Sequence, residues 1–382
     1  MKIKDKFIVY GTVISYSLLV FLIGFILLEM IDVIFPMNDI VFWTIFTILS
    51  LFSFLTIFTS KHFNIKFYNT SYKIGSYWLI LMLYAAATLP IIIILRYVFG
   101  EIRLDFITYR DFYLYSIIIF FSVYILLALM GTLNASASKI RTYEIVINKY
   151  VEEPINIVMV SDIHLGNIIR NKRLRKMVQT INSLNPDFIA IAGDIIDSNI
   201  TPFTERNMAE EFSHLKSKYG TYAVLGNHDL MTRSIDKIVA ILNENKVNIL
   251  RDEAVLINDS FYIIGRDDVT IKLYTKENRK PLKDITKELD NSKPLILIDH
   301  NPKDVKESYN ANIDLQLSGH THKGQISPLN FVTKRAFEVD YGHLQKDSFN
   351  VIVSSGYGTW GPPIRLGSKS EIVVIKLKGK DR

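Results

Sequence analysis

Cysteine is absent from the 382 residues, which excludes disulfides, thiolate metal ligands and cysteine nucleophiles. No block of about five or six like charges occurs to mark a basic arm. The net charge of +6 is too small and too diffuse for a nucleic-acid surface, so no nucleic-acid partner is expected. No internal repeat or low-complexity segment is visible. A hydrophobic content of 49% excludes a disordered chain. Charge is scarce in one region only. Residues up to Leu133 carry 9 Lys+Arg and 7 Asp+Glu, while the remaining 249 residues carry 35 and 31.

Four stretches have no charged residue at all: Phe7–Leu28, Ile40–Ser60, Ile74–Leu95 and Phe112–Ser138. Each reaches about 20 residues, the length a helix needs to cross the hydrocarbon core of a bilayer. Backbone polar groups must be satisfied internally in lipid, so four membrane-spanning helices are predicted. With no ionisable side chain inside a span, a proton relay or ion pathway is disfavoured. The first run is longer than a signal-peptide core and lacks a small-residue cleavage site, so it reads as a retained span. Lys2, Lys4 and Lys6 precede the first span. Lys61, Lys66 and Lys73 follow the second, and Lys139 and Arg141 follow the fourth. By the positive-inside rule both ends lie in the cytoplasm, although the third connection mixes charges of both signs. The expectation is a multi-pass protein of a bacterial cell membrane, with the lipid bilayer as one partner and a cytoplasmic catalytic domain.

The predicted division is a four-helix transmembrane domain over residues 1–138, a polar linker over 139–150 and an α/β domain over 151–382. In the last part short apolar runs alternate with helical spacing. Ile155–Val160, Phe188–Ala192 and Tyr222–Leu225 read as buried strands, with helices over Arg170–Leu184 and Ile235–Leu242. Leu295–Ile298, Asp314–Leu317, Val351–Val353 and Ile372–Ile375 read as further strands. This pattern predicts a parallel-rich sheet covered by helices.

Polar residues gather where these strands end, the place where open α/β sheets bind ligands. They are Asp162-Ile163-His164, Gly193-Asp194, Gly226-Asn227-His228-Asp229, His300 and Gly319-His320-Thr321-His322. Asp, Asn and His without thiolate suit manganese, iron or zinc. The glycines before Asp194, Asn227 and His320 are expected to permit tight turns.

These five blocks, in this order, resemble the calcineurin-like metallophosphoesterase superfamily over roughly Ile155 to Leu377, and with the leading spans they resemble its membrane-bound bacterial members. The resemblance implies an αββα sandwich and two divalent metal ions, manganese first, with iron or zinc next. It implies Asp162, His164 and His322 on the first metal, Asp194 bridging both, and Asn227, His300 and His320 on the second. His228, held by Asp229, matches the catalytic histidine that orients the phosphate or protonates the leaving oxygen. The implied reaction is hydrolysis of a phosphoester or pyrophosphate by in-line attack of a hydroxide between the two cations. Some relatives hydrolyse UDP-diacylglucosamine, so the anchor points to a lipid-linked phosphorylated substrate. The alternatives are a soluble phosphomonoester or diester, with the anchor only localising the enzyme, and a non-catalytic scaffold, which the complete ligand set disfavours. One position departs from the pattern G-H-T-H-G-G-Q: Lys323 replaces the first glycine and is placed near substrate phosphate. Arg365 is assigned either to bidentate phosphate binding or to a structural salt bridge. His343 lies in a late loop without an assigned role. Asp197 reads as a helix cap, Asp299 as a strand-end neighbour, and His62 and His214 as non-catalytic.

Overall fold

The computed structural model describes residues 3–58, 65–101 and 108–380. It divides into two compact units at Leu129/Met130. The first unit is helical: α1 (Ile3–Ile34), α2 (Asp39–Phe58), α3 (Ile65–Glu101) and the greater part of α4 (Tyr109–Ser136). Among the described residues three segments are long and apolar enough to cross a membrane: Tyr10–Ile34, Thr70–Val98 and Arg110–Ser136. The second predicted span, Ile40–Ser60, is not among them: in α2 the apolar stretch counted is Asp39–Ser53, and the predicted run continues beyond the described residues. The core of this unit joins Ile23, Leu27, Phe46, Met82 and Leu89. The polar groups within it are paired: Trp78 Nε1 donates to Ser50 Oγ at 3.2 Å, and Tyr16 OH donates to the Ser50 carbonyl at 3.1 Å.

The second unit is built on two six-stranded sheets. One has the order β1 (Lys139–Ile147), β12 (Glu371–Gly379), β2 (Ile155–Val160), β3 (Phe188–Ala192), β4 (Thr221–Val224), β5 (Val247–Ile249). The other has the order β10 (Gly342–Lys346), β11 (Phe349–Val353), β9 (Leu315–Ser318), β8 (Leu295–Ile298), β7 (Phe261–Gly265), β6 (Glu253–Ile257). Both sheets are mixed: β12 runs antiparallel to β2 while β2, β3 and β4 are parallel neighbours, and β10 and β6 run antiparallel to β11 and β7 while β11, β9, β8 and β7 are parallel neighbours.

The continuous apolar runs have a physical reason. Every side chain of β3, β4, β8, β9 and β11, and all but Asn156 of β2, is buried on one face or the other, and the alternation sorts them. Ile157 and Met159 of β2, with Phe188 and Ala190 of β3, pack against Ile263, Ile296 and Leu315 of the other sheet. Val158, Val160, Ile189 and Ile191 face the opposite way, onto the helix α5 (Asn171–Ser183). Leu295 and Leu297 of β8 face a third cluster with Leu282 and Val305 from helices on the far side. The layers are therefore helix, sheet, sheet, helix. α5 buries Leu174, Met177, Val178 and Ile181, a helical i, i+3, i+4, i+7 stripe.

Segment 139–150, read from its polar composition as linker, is mostly strand. β1 pairs in parallel with β12 over nine positions, from Lys139↔Glu371 to Ile147↔Gly379. It lies at the sheet edge and buries only Ile145 and Ile147, so its charges stay in solvent.

Candidate metal centre

β2, β3 and β4 lie side by side in one sheet, and β8 and β9 lie side by side in the other. All run in parallel within their sheet, so five strand ends deliver their following loops to one rim. Asp162 and His164 follow β2, Asp194 follows β3, and Asn227 and His228 follow β4. His300 follows β8, and His320 and His322 follow β9. The chain reverses sharply there. Asp162, His164, Asp194, His320 and His322 all take left-handed backbone conformations, with φ of 50°, 51°, 50°, 71° and 49°. Non-glycine residues held this way cost about 1–3 kcal/mol each and cluster at functional sites. Backbone bonds across the two loops hold them: Asp162 N–H donates to the Gly193 carbonyl at 3.0 Å, and His164 N–H donates to that of Asp194 at 3.0 Å.

The side chains form two donor groups that meet at Asp194. In the first, His322 Nε2 lies 3.1 Å from His164 Nε2 and 3.4 Å from Asp162 Oδ1. In the second, His300 Nε2 lies 3.2 Å from Asp194 Oδ2 and 3.2 Å from Asn227 Oδ1, and His320 Nδ1 lies 2.8 Å from the same Asn227 oxygen. His164 Nε2 is 3.9 Å from Asp194 Oδ2, so this carboxylate faces both groups. Within each of the sets Asp162/His164/His322 and Asp194/His300/His320 the ligand atoms lie within 4.8 Å of one another.

The donor set fits divalent cations. His300 Nδ1 sits 2.8 Å from the Ala192 carbonyl and must donate a proton there. Its Nε2 then turns toward an Asp oxygen, an Asn oxygen and, at 3.3 Å, an imidazole nitrogen. Lone pairs converging in a buried space need a positive charge among them. Without a metal the protein charges His300 instead. Burial opposes this, but Asp194 outweighs burial and holds the His300 pKa well above its usual value. The other imidazoles move the other way. Burial brings His164 and His320 down to about 4 and depresses His322 strongly, so these rings are neutral and ligand-ready at neutral pH. Burial lifts Asp162 to about 6.

His228 lines the cavity beside these groups, with its ring centre 4.7 Å from that of His164 and a ligand atom within 4.8 Å of those of His164 and Asp194. The resemblance assigned Asp229 as its partner, and the structure corrects this. Asp229 is fully buried, and its carboxylate accepts the N–H groups of Gly226 (2.8 Å), Ile195 (3.1 Å) and Ile196 (2.7 Å). It ties the β3 loop to the β4 loop. His228 Nδ1 is instead 2.6 Å from Ser198 Oγ and 3.4 Å from Asp197 Oδ1. Asp197, read as a cap, is therefore the carboxylate beside His228, three residues beyond Asp194 on the same loop. Burial lowers the His228 pKa, but the bond to Asp197 and the nearby Asp194 raise it further, so it ends above its usual value.

Three other assignments change. Arg365 is fully buried and meets neither the phosphate nor the salt-bridge expectation. It donates to the carbonyls of Gly356 (3.2 Å) and Gly358 (2.6 Å), to Ser368 Oγ (3.2 Å) and to His322 Nδ1 (3.2 Å). Lys323 Nζ lies 4.4 Å from the centre of the Tyr341 ring and is not on the cavity wall. His343 Nε2 pairs with Asn350 Oδ1 at 2.9 Å, a structural contact in the β10–β11 hairpin. Asp299 pairs with Arg266 and Arg279, away from the ligand groups. His214 ends a short 3-10 helix, and His62 lies outside the described residues.

The glycines before the ligands act differently from the expectation of tight turns. Only Gly193 has a left-handed φ, of 78°. Gly226 and Gly319 are required by proximity: a Cβ would fall 2.2 Å from Asp194 Oδ1 and 2.3 Å from Asp162 Oδ2. Gly226→Ala is expected to displace the Asp194 carboxylate and to destabilise the domain by about 1–3 kcal/mol, the usual cost of overpacking. Thermal melting with and without metal checks this; an unchanged melting temperature in both would count against it.

The family model for calcineurin-like phosphoesterases matches residues 155–324. An Aquifex aeolicus protein named an uncharacterized metallophosphoesterase is 32% identical over 267 residues, covering 66% of this chain and 98% of that protein. The chain belongs to the calcineurin-like metallophosphoesterase family, the metal-dependent phosphoester hydrolases. A Helicobacter pylori metallophosphoesterase is 33% identical over 251 residues, 64% of this chain and 65% of that one. A Danio rerio protein named a transmembrane protein with metallophosphoesterase domain is 30% identical over 269 residues, 66% of this chain and 60% of that one. The chain thus spans less than two thirds of these last two relatives. Among the described residues this metallophosphoesterase has three helices long and apolar enough to cross a membrane.

Proposed function

We propose that the protein is a membrane-anchored phosphoester hydrolase with a dinuclear metal centre, acting in the cytoplasm on a lipid-linked phosphoester or pyrophosphate such as UDP-diacylglucosamine. The observation that carries the dinuclear reading is the placement of Asp194, whose carboxylate faces two separate donor groups. Asp162, His164 and His322 would hold one ion, Asn227, His300 and His320 the other, and Asp194 both. Two divalent ions there would supply Lewis acidity, making water nucleophilic near neutral pH and offsetting charge on the phosphoryl oxygens.

The chain's own residues orient and move protons. With Nδ1 engaged by Ser198 and Asp197, His228 keeps Nε2 for the leaving oxygen. Its raised pKa keeps the ring protonated closer to neutral pH, as a general acid requires. Asp197→Asn removes the carboxylate that favours the imidazolium. The His228 pKa should then fall, and the alkaline limb of kcat/KM should move to lower pH. An unmoved limb would remove His228 from the role of acid.

The apolar helices favour a substrate that resides in the membrane. The decisive comparison is turnover by the detergent-solubilised, manganese-loaded protein of a lipid pyrophosphate and of a soluble aryl phosphodiester. Faster turnover of the lipid compound supports the proposal. Equal or faster turnover of the soluble one reassigns the helices to localisation alone. The Lys and Arg distribution favours a cytoplasmic catalytic domain, and a reporter fused after Arg382 that is active only outside the cytoplasm would reverse that orientation.

A further inference from the structure

The cavity that reaches the ligand residues has a second wall of different chemistry. It holds about 650 Å³, within the range of about 300–1,000 Å³ usual for small-molecule sites. Asp194, Asn227, His228 and His320 line part of it, and Met231, Leu329, Val332, Phe337 and Trp360 line another part. Leu329, Val332 and Trp360 are 45%, 62% and 53% exposed. Single exposed apolar side chains mean little. Here, with Met231, they come from three separate segments and converge on one cavity beside polar chemistry.

The wall is built from fixed parts. The helix Leu329–Ala336 leaves every one of its side chains at least partly exposed, so packing of its own apolar residues does not hold it. Polar bonds do. Thr333 Oγ1 donates to Asp340 Oδ2 at 2.7 Å, and Thr321 Oγ1, beside His322, donates to the Asp340 carbonyl at 2.5 Å. Opposite, the Gln325 side chain brackets Trp360: its Nε2 donates to the Trp360 carbonyl at 2.7 Å, and its Oε1 accepts the Trp360 N–H at 2.8 Å. Both flanks therefore hang from the loop that carries His320 and His322. The helix ends in exposed Lys334 and Arg335, cationic groups suited to further anionic parts of a ligand.

We propose that this wall is a hydrocarbon subsite, taking the alkyl or acyl portion of a phosphoester whose phosphoryl group lies among the ligand residues. It rests on the reading of that cluster as a hydrolytic centre, and it assigns Leu329, Val332 and Trp360 as determinants of substrate specificity. The continuity of the cavity selects this occupant, since the apolar side chains and the ligand residues bound one space. Phe331 is 68% exposed on the same helix but is not on the wall, which makes it a control.

The test uses the full-length, manganese-loaded protein with 4-nitrophenyl methyl, butyl and hexyl phosphates. Wild-type kcat/KM is expected to rise at least about tenfold from methyl to hexyl, since each buried methylene favours binding several-fold. The double variant Val332→Ser, Trp360→Ser should reduce that ratio below about twofold by lowering kcat/KM for the hexyl ester far more than for the methyl ester. Phe331→Ser should keep the wild-type ratio. Calorimetry with methyl- and hexylphosphonate reads the same preference without turnover. A flat chain-length series with the methyl ester hydrolysed would overturn the subsite and leave the hydrolytic centre standing. A preference that survives the double variant, or that Phe331→Ser abolishes equally, would overturn it too. If no ester is hydrolysed, the proposed hydrolytic function fails. The phosphonates then decide the subsite by themselves, supporting it only where hexyl binds tighter than methyl and the double variant removes the difference.

Discussion

Asp194→Ala is expected to reduce bound metal from two ions to at most one and to slow hydrolysis by at least about a thousandfold. Losing a single electrostatic group at a transition state already costs about 10²–10³, and Asp194 serves both donor groups. Its carboxylate is the anion nearest His300 and also accepts the His228 N–H at 2.7 Å. Removing it leaves each group with one negative ligand fewer and loosens His228. Metal content by elemental analysis and turnover of an aryl phosphodiester read the two effects separately. His228→Ala supplies the contrast: both ions retained, with a rate loss of about 10²–10⁴, the span usual for a lost general acid or base. Two tightly bound ions and near-normal turnover in Asp194→Ala would sink the assignment of the centre.

Arg365→Leu is expected to be the most destabilising single change outside the ligands. The guanidinium is completely buried and its partners are mainly backbone carbonyls, with burial pulling its pKa down to about 10. Leucine fits the space approximately but leaves the carbonyls of Gly356 and Gly358 buried without donors. Each orphaned acceptor costs about 1–3 kcal/mol, so a loss of several kcal/mol is expected. The loop also contacts the metal centre: Arg365 Nη2 lies 3.2 Å from His322 Nδ1. Weaker metal binding should therefore accompany the lower melting temperature. Arg365→Lys should recover little, because an ammonium cannot reproduce the planar fork. Full stability in Arg365→Leu would show that these carbonyls find other donors.

The strands that carry the centre were legible because both their faces are buried, which writes them as unbroken apolar runs such as Ile155–Val160 and Leu295–Ile298. The residues proposed as ligands stood out because their types and spacing repeat at strand ends, which the structure brings to one rim. What escaped was set by three-dimensional proximity. Asp197 looked like a cap because its nearness to His228 depends on the path of a neighbouring loop. Arg365 was read as a phosphate ligand or a salt-bridge partner because a buried arginine satisfied by carbonyls leaves no pattern in sequence. β1 was hidden by its charges, since an edge strand needs only two inward side chains. In the helical unit, charge-free length predicted four spans. The second run forms the apolar helix α2 (Asp39–Phe58), and three of the four runs count as spans among the described residues.

The position of β12 between β1 and β2 has a consequence for biosynthesis. Its register with β1 joins Lys139 to Glu371, partners 232 positions apart. A ribosome completes β2, β3 and β4, and with them the loops of Asp162, Asp194 and Asn227, long before β12 exists. During that interval β2 presents an open, strongly apolar edge, and β1, just beyond the last helix, has nothing to pair with. Such an edge invites aggregation and slow, non-local closure. Folding of this enzyme should therefore finish as a single late insertion, with the strand next to the membrane segment waiting for the last strand of the sheet.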